Sequence, residues 1–342
     1  MKDATRGTVL LADVGGTNVR FALADTERAQ PLFGDSIRRY RVADFASFGD
    51  VARAYLDALG AEPHRGVFAF AGQIRDGEVQ VTNHTWTVSS ERVRRELSLE
   101  RLDFINDFAA MSLSVPLLGE TDLRAIGRPP APSLEGTKAR TFAVIGPGTG
   151  LGVGALLLRD GRASALETEG GHTSFAPRTE EDFEILRWLT ARFGRVSNER
   201  LLCGSGLSNL HEALGHIHST FEERLAPEEI TRRASEGSDA GCVRAVEIFC
   251  ELLGAVVGDF VLAFGAWDGA YLAGGLPPLM LPWLERGGFR RRFEDKGRFA
   301  DSMVHIPSVV ILHPDAGLLG AAVHAIGTSG RLASRSAVAS EA

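Results

Sequence analysis

Short apolar runs closed by glycine or polar turns dominate the first third of the chain. Val9-Leu10-Leu11-Ala12 and Val19-Arg20-Phe21-Ala22-Leu23 have strand composition and flank Asp13-Val14-Gly15-Gly16-Thr17-Asn18, which therefore reads as a hairpin turn. Gly66-Val67-Phe68-Ala69-Phe70-Ala71-Gly72, Gly77-Glu78-Val79-Gln80-Val81-Thr82 and Leu102-Asp103-Phe104-Ile105 continue the strand pattern, and a helical period over Phe48 to Leu59 interrupts it. The alternation predicts a mixed α/β lobe. Arg128-Pro129-Pro130-Ala131-Pro132-Ser133 is the clearest breaker cluster and predicts a loop, with a change of domain slightly before it.

The opening device then returns. Thr141-Phe142-Ala143-Val144-Ile145 and Val153-Gly154-Ala155-Leu156-Leu157-Leu158 flank Gly146-Pro147-Gly148-Thr149-Gly150, and Arg159-Asp160-Gly161 predicts a further tight turn. Thr179 with Asp182 resembles a capping box ahead of Phe183, Leu186 and Leu189, with Gly194 as the stop. Val243, Val246, Phe249, Leu253, Val256, Val257, Phe260, Val261 and Phe264 carry the strongest helical period in the chain and predict a core helix. Ala270-Tyr271-Leu272-Ala273 reads as a buried strand delivering Gly274-Gly275-Leu276, with Pro277 and Pro278 marking a break. Val309-Val310-Ile311-Leu312 predicts a strand, and Ala316 to Ile326 a small-residue helix returning to the first lobe. Ser329 to Ala342 is small and polar and is expected to be disordered.

A glycine turn built twice points to two lobes facing one ligand. Backbone N–H groups of such turns can close on phosphate oxygens with no side chain in the way, and Thr17 and Thr149 can add hydroxyl donors. Either turn alone is equally served by a structural role. No Gly-Lys-Ser/Thr triplet exists, which excludes a Walker loop. Gly150-x-Gly152-x-x-Ala155 fits the loosest dinucleotide fingerprint, with Glu167 or Glu169 downstream, but the following residues read as a strand rather than the helix which that fingerprint requires.

Composition narrows the partners. A chain of 342 residues with 44% hydrophobic and 24% charged residues is an ordinary globular protein with room for two domains. A net charge of −7 argues against broad nucleic-acid binding, so any phosphate must be met locally. Cys203, Cys242 and Cys250 form no C-x-x-C pair and no even-numbered framework; they read as buried thiols in a reducing cytoplasm. The N-terminus lacks a secretory apolar region, and the apolar stretch Leu252 to Phe264 contains Asp259 and is too short for a bilayer. No membrane partner is expected.

Asn106-Asp107 follows a strand and precedes a helix expected from Ala109, so the pair stands at the carboxyl end of a strand, where α/β lobes bind ligands. An aspartate there can accept a hydroxyl proton while the asparagine orients the same substrate; it can equally cap the helix. In Glu169-Gly170-Gly171-His172 two glycines would let the chain turn tightly and bring both polar side chains into one pocket. Glu199, after Ser197-Asn198, fits that pocket or the first turn of a helix.

In this order the signals resemble the bacterial-type glucokinases, sugar kinases of the actin and hexokinase superfamily. The resemblance runs from about Val9 to Ile326. It rests on Leu11 to Asn18, Thr82-Asn83-His84-Thr85-Trp86, Asn106-Asp107-Phe108, Gly146 to Gly152, Glu169 to His172, Glu199-Arg200, Ala273-Gly274-Gly275 and Gly317-Leu318-Leu319-Gly320. It implies an α/β, two-lobed actin-like ATPase fold (ribonuclease H-like), with a small domain of 1-117 plus 313-330, a large domain of 118-312 and a tail of 331-342. It also implies ATP and Mg2+, glucose or a related hexose as acceptor, and a cytoplasmic homodimer. Asp13 would face the magnesium through water, with Gly15, Gly16, Thr17 and Asn18 at the phosphates. Gly148, Thr149 and Gly150 would form the second phosphate loop, and Gly274 and Gly275 would lie against adenosine. Asn106, Asp107, Glu169, His172 and Glu199 would hold the sugar, with Asp107 as base. Asn83, His84 and Trp86 match a stretch near the sugar side, or a packed loop. An unperturbed aspartate, with pKa about 3.9, would be a weak base and take its proton late in the transfer. Relatives of the repressor branch use the histidine of the Glu-Gly-Gly-His stretch in a zinc site with clustered cysteines. No cysteine is near His172 in sequence, so no zinc is expected. Ala71-Gly72-Gln73 stands where many relatives have a proline after the glycine, which would move the loop facing the sugar.

Overall fold

In the computed structural model, which describes residues 8–82, 84–132, 134, 139–220 and 223–327, both glycine turns join antiparallel strands. Asn83, Ser133 and the expected tail lie outside the described residues. Thr8–Val14 pairs with Asn18–Asp25, and Arg38–Arg41 extends the ladder on one side. Arg65–Phe70 and Arg101–Asn106 add in parallel on the other, completing a five-stranded sheet. A separate small sheet of Ile74–Arg75, Glu78–Gln80 and Thr87–Ser89 stands beside it.

The second sheet has six strands, in the order Arg162–Thr168, Leu151–Arg159, Arg140–Pro147, Gly269–Leu272, Ser308–Ile311 and Leu123–Ala125. Asp160 and Gly161, with φ of 50° and 71°, make the tight turn expected after Arg159, a backbone hand that matches strand twist. The residues after Gly150 form the strand Leu151–Arg159, which removes the dinucleotide reading because no helix N-terminus follows the glycines. Thr179 and Asp182 form the capping box of the helix Glu180–Phe193, which stops at Gly194. The core helix runs Ala240–Phe264, starting where Asp239 accepts the Cys242 N–H. All three cysteines are free and buried.

The helix Ala316–Gly327 does return to the first sheet. Leu318, Ala321, Ala322 and Ala325 pack with Val9, Leu11, Val67, Ala69 and Ile105. Against the helix Asp107–Ser114 its backbone comes so close that a Cβ on Gly320 would lie 1.5 Å from the Ala110 carbonyl oxygen. The residues that carry the candidate base are therefore clamped between a sheet and a second helix. Trp86 is buried in the first lobe's core, edge-on to Phe48 at 6.4 Å between ring centroids, which is the packed-loop alternative for that stretch. Among the described residues no helix is long and apolar enough to cross a membrane.

Candidate active site

A cleft of about 1010 Å³ opens between the two large sheets. Its wall contains Asp13, Gly15, Gly16, Thr17 and Asn18 from the first turn and Gly148, Thr149 and Gly150 from the second. Asn106, Asp107, Glu169, His172, Glu199, Gly274 and Gly275 line the same cleft. His84 and Trp86 are not among the lining residues. Ala71 and Gly72 are; Gly72 has φ of +149°, and a Cβ there would lie 2.7 Å from the Gln80 carbonyl oxygen.

Each turn is closed by one backbone bond: the Gly15 N–H donates to the Asn18 carbonyl at 3.0 Å, and the Gly148 N–H to the Gly150 carbonyl at 2.8 Å. Gly148 is not in the left-handed region, and a Cβ added to it would meet nothing within 4 Å. The fold itself thus has room for a side chain there, and what such a side chain would fill is the cleft.

The helix carrying Asp107 begins two residues earlier than Ala109, where it was expected. The reason is Asn106, whose side-chain oxygen accepts the N–H groups of Phe108 at 2.8 Å and Ala109 at 3.1 Å and so caps the helix. Asp107 is the first helical residue rather than the cap, and its carboxylate accepts the adjacent Phe108 N–H, at 2.9 Å. Burial pushes the Asp107 carboxyl up to about 7, and the charges of Asp13 and Glu169 add to the rise. That corrects the expectation of an unperturbed carboxylate. Asp13 is also raised, by burial, even though Arg20 lies 3.1 Å from it.

Glu199 stands on a short 3-10 turn, Asn198–Arg200, and reaches back to the second glycine turn: its Oε2 accepts the Leu151 N–H at 2.9 Å. A Cβ on Gly150 would lie 2.5 Å from that oxygen. His172 bridges the acids, with Nδ1 3.9 Å from Glu199 and Nε2 3.9 Å from Glu169. The two glycines before it do not serve a left-handed turn, as their φ angles are not positive. They permit close approach: a Cβ on Gly171 would lie 2.1 Å from the Leu151 carbonyl oxygen, and one on Gly170 3.0 Å from the Phe260 ring.

Arg20, Thr168 and Ser205 also line the cleft and were not singled out from the sequence; Phe108 lines it too, and was named only as part of the Asn106-Asp107-Phe108 stretch and given no role. The hairpin register holds the signal for Arg20, since pairing Val14 with Val19 puts Asp13 directly opposite Arg20. For Phe108 the signal is the glycine pair Gly146 and Gly152. The Phe108 ring occupies the space of a Cβ at Gly146 and Gly152, and Ser112 Oγ lies 3.0 Å from one at Gly154.

Known proteins share both chain and fold. Residues 10–327 match the family model for glucokinase. A glucokinase of Stenotrophomonas maltophilia (strain R551-3) is 50% identical over 322 residues, spanning 94% of this chain and 96% of that one. The crystal structure of a glucokinase from an Antarctic psychrotroph superposes with a TM-score of 0.81 at 31% identity, covering 93% of this chain and 98% of that one. A Balamuthia mandrillaris glucokinase solved in complex with glucose has the same fold, with a TM-score of 0.78 at 22% identity over 94% of this chain and 93% of that one. With its actin-like ATPase fold and this identity over nearly its whole length, the chain belongs to the glucokinase family.

Proposed function

We propose that the protein phosphorylates glucose at the 6-hydroxyl with ATP as donor. The single observation that carries the reading is the position of Asp107, a carboxylate raised to about 7 in the wall of a cleft shared with both glycine turns. At neutral pH such a group is near its midpoint, matched to accepting a proton from a sugar hydroxyl. As the hydroxyl oxygen attacks the γ-phosphorus, its proton passes to Asp107 and the bond to the β-phosphate oxygen breaks, leaving ADP.

Asn106 spends its carbonyl oxygen on the helix cap, so its NH2 group is what remains to donate to a sugar hydroxyl. Glu169, His172 and Glu199 supply further polar partners, and a sugar missing or inverting a hydroxyl leaves one of them unpaired at roughly 1–3 kcal/mol. Backbone amides of Gly15, Gly16, Thr17, Gly148, Thr149 and Gly150 would meet the phosphates, with Gly274 and Gly275 against the adenosine. The donor set beside them is carboxylate oxygen, which suits magnesium. Asp13 would hold Mg2+ through water, and the ion would neutralise charge on the transferring phosphates.

The domain division of 1-117 plus 313-330 against 118-312 is supported by the chain's path. The five-stranded sheet ends at Asn106, Ala316–Gly327 packs back on it, and every strand of the six-stranded sheet lies between Leu123 and Ile311. Closure of two such lobes would keep water from taking the phosphate. A coupled assay of ADP release by the purified protein over a panel of hexoses tests the reading. Glucose should give the highest kcat/KM, and an absence of sugar-stimulated turnover would refute it.

A further inference from the structure

Away from the cleft, the helices Gly204–Ile217 and Ala240–Phe264 bring His211, Asp239 and Cys242 together, with one ligand atom of each within 4.8 Å of the others. Cys242 is fully buried, and the imidazole and carboxylate beside it are half-buried, which leaves a path from solvent. The Nδ1 of His211 is buried with no hydrogen-bond partner. A buried polar atom left so is costly, and an ion reached by that nitrogen would relieve the cost. Arg233 pairs closely with Glu229, at 2.6 Å, and more loosely with Asp239, at 3.7 Å, so an ion bound here would share the Asp239 carboxylate with it.

We propose that His211, Asp239 and Cys242 form a binding site for a divalent cation of the zinc class, separate from the catalytic cleft. Nitrogen, sulfur and carboxylate oxygen together select a borderline-soft ion such as Zn2+ and disfavour Mg2+, which takes oxygen ligands. Three protein ligands leave one position for water. Bonds of about 2.0–2.3 Å require the ligand atoms to draw together by small side-chain rotations, and Cys242 gives up its thiol proton as the ion binds. The expectation of no zinc rests on the surroundings of His172, a different histidine. The ion would staple the start of the long core helix to the helix whose first residue, Gly204, donates its N–H to the Gly148 carbonyl of the second turn at 2.9 Å.

The test uses the full-length protein, stripped of metal and titrated with Co2+ and then Zn2+. One equivalent of Co2+ should produce an intense near-ultraviolet thiolate-to-cobalt band that Zn2+ bleaches, and Cys242→Ser should abolish it. Asp239→Asn keeps a good helix cap but loses the charge, so the variant should fold and bind Zn2+ at least about tenfold more weakly. No band in the native protein would overturn the proposal. So would a band that survives in Cys242→Ser, or undiminished Zn2+ affinity in Asp239→Asn.

Discussion

The ring of Phe108 lies in the space that a side chain at Gly152 would fill: a Cβ there would fall 1.9 Å from the ring. Phe108 directly follows Asp107, and Gly152 directly follows Leu151, whose N–H is held by Glu199. One contact thus ties the neighbour of Asp107, the proposed base, to the strand leaving the second glycine turn. Gly152→Ala should push the ring away and carry Asp107 with it. A displacement of about 1 Å at the reacting groups costs on the order of 10²-fold in kcat, and the overpacking about 1–3 kcal/mol of stability. Steady-state kinetics with thermal melts checks both, and Phe108→Leu in the same chain should recover part of each loss.

Protonated Asp107 cannot take the hydroxyl proton. With its carboxyl at about 7, kcat/KM for glucose should be level above that pH and fall about tenfold per unit below it. Initial rates across the range, at fixed ionic strength, measure the profile. An inflection near 4 instead would mean that burial does not act on this carboxyl as its position implies.

The same shift has a consequence for stability. A carboxyl of about 3.9 in the unfolded chain and about 7 in the native protein favours the folded state less as pH rises from about 4 through 7, because the native state must then ionise a buried group. Asp107→Asn removes that penalty while its side-chain oxygen can still accept the Phe108 N–H. The variant should melt higher than the native protein at pH 8, by about 1–2 °C for each kcal/mol recovered, with the gap closing by pH 5. Paired melts at both pH values decide it.

Gly148→Ala separates folding from ligand approach. A methyl group there meets no protein atom within 4 Å, so the melting temperature should stay within about 1 °C of native. If the second turn receives phosphate on its backbone, the KM for ATP should rise about tenfold or more while the KM for glucose changes little. Kinetics with each substrate varied in turn gives the comparison.

Much of this was legible in the sequence because it depends on local chemistry. Strand composition on both sides of Gly15-Gly16 and of Gly148-Thr149-Gly150 specified two hairpins, and the order of the polar clusters specified the family. The start of the Asp107 helix was misread by two residues because an asparagine and an aspartate in succession are both good caps, and only geometry decides which side chain turns back on the amides. The Glu169-Gly170-Gly171-His172 stretch does turn tightly, as the 3-10 turn Gly170–His172, with both polar side chains on the cleft; the closeness of these glycines to Leu151 and Phe260 is a long-range relationship with no local trace. The rise of Asp107 was invisible for the same reason, since it comes from burial and from Asp13, brought near by the fold.

The most direct measurement is turnover and glucose binding in Asp107→Asn. With ATP and glucose saturating, ADP release should fall by about 10²–10⁴-fold relative to the native protein, while calorimetric affinity for glucose stays within a few-fold. Near-native turnover in that variant would contradict the assignment of Asp107 as the base.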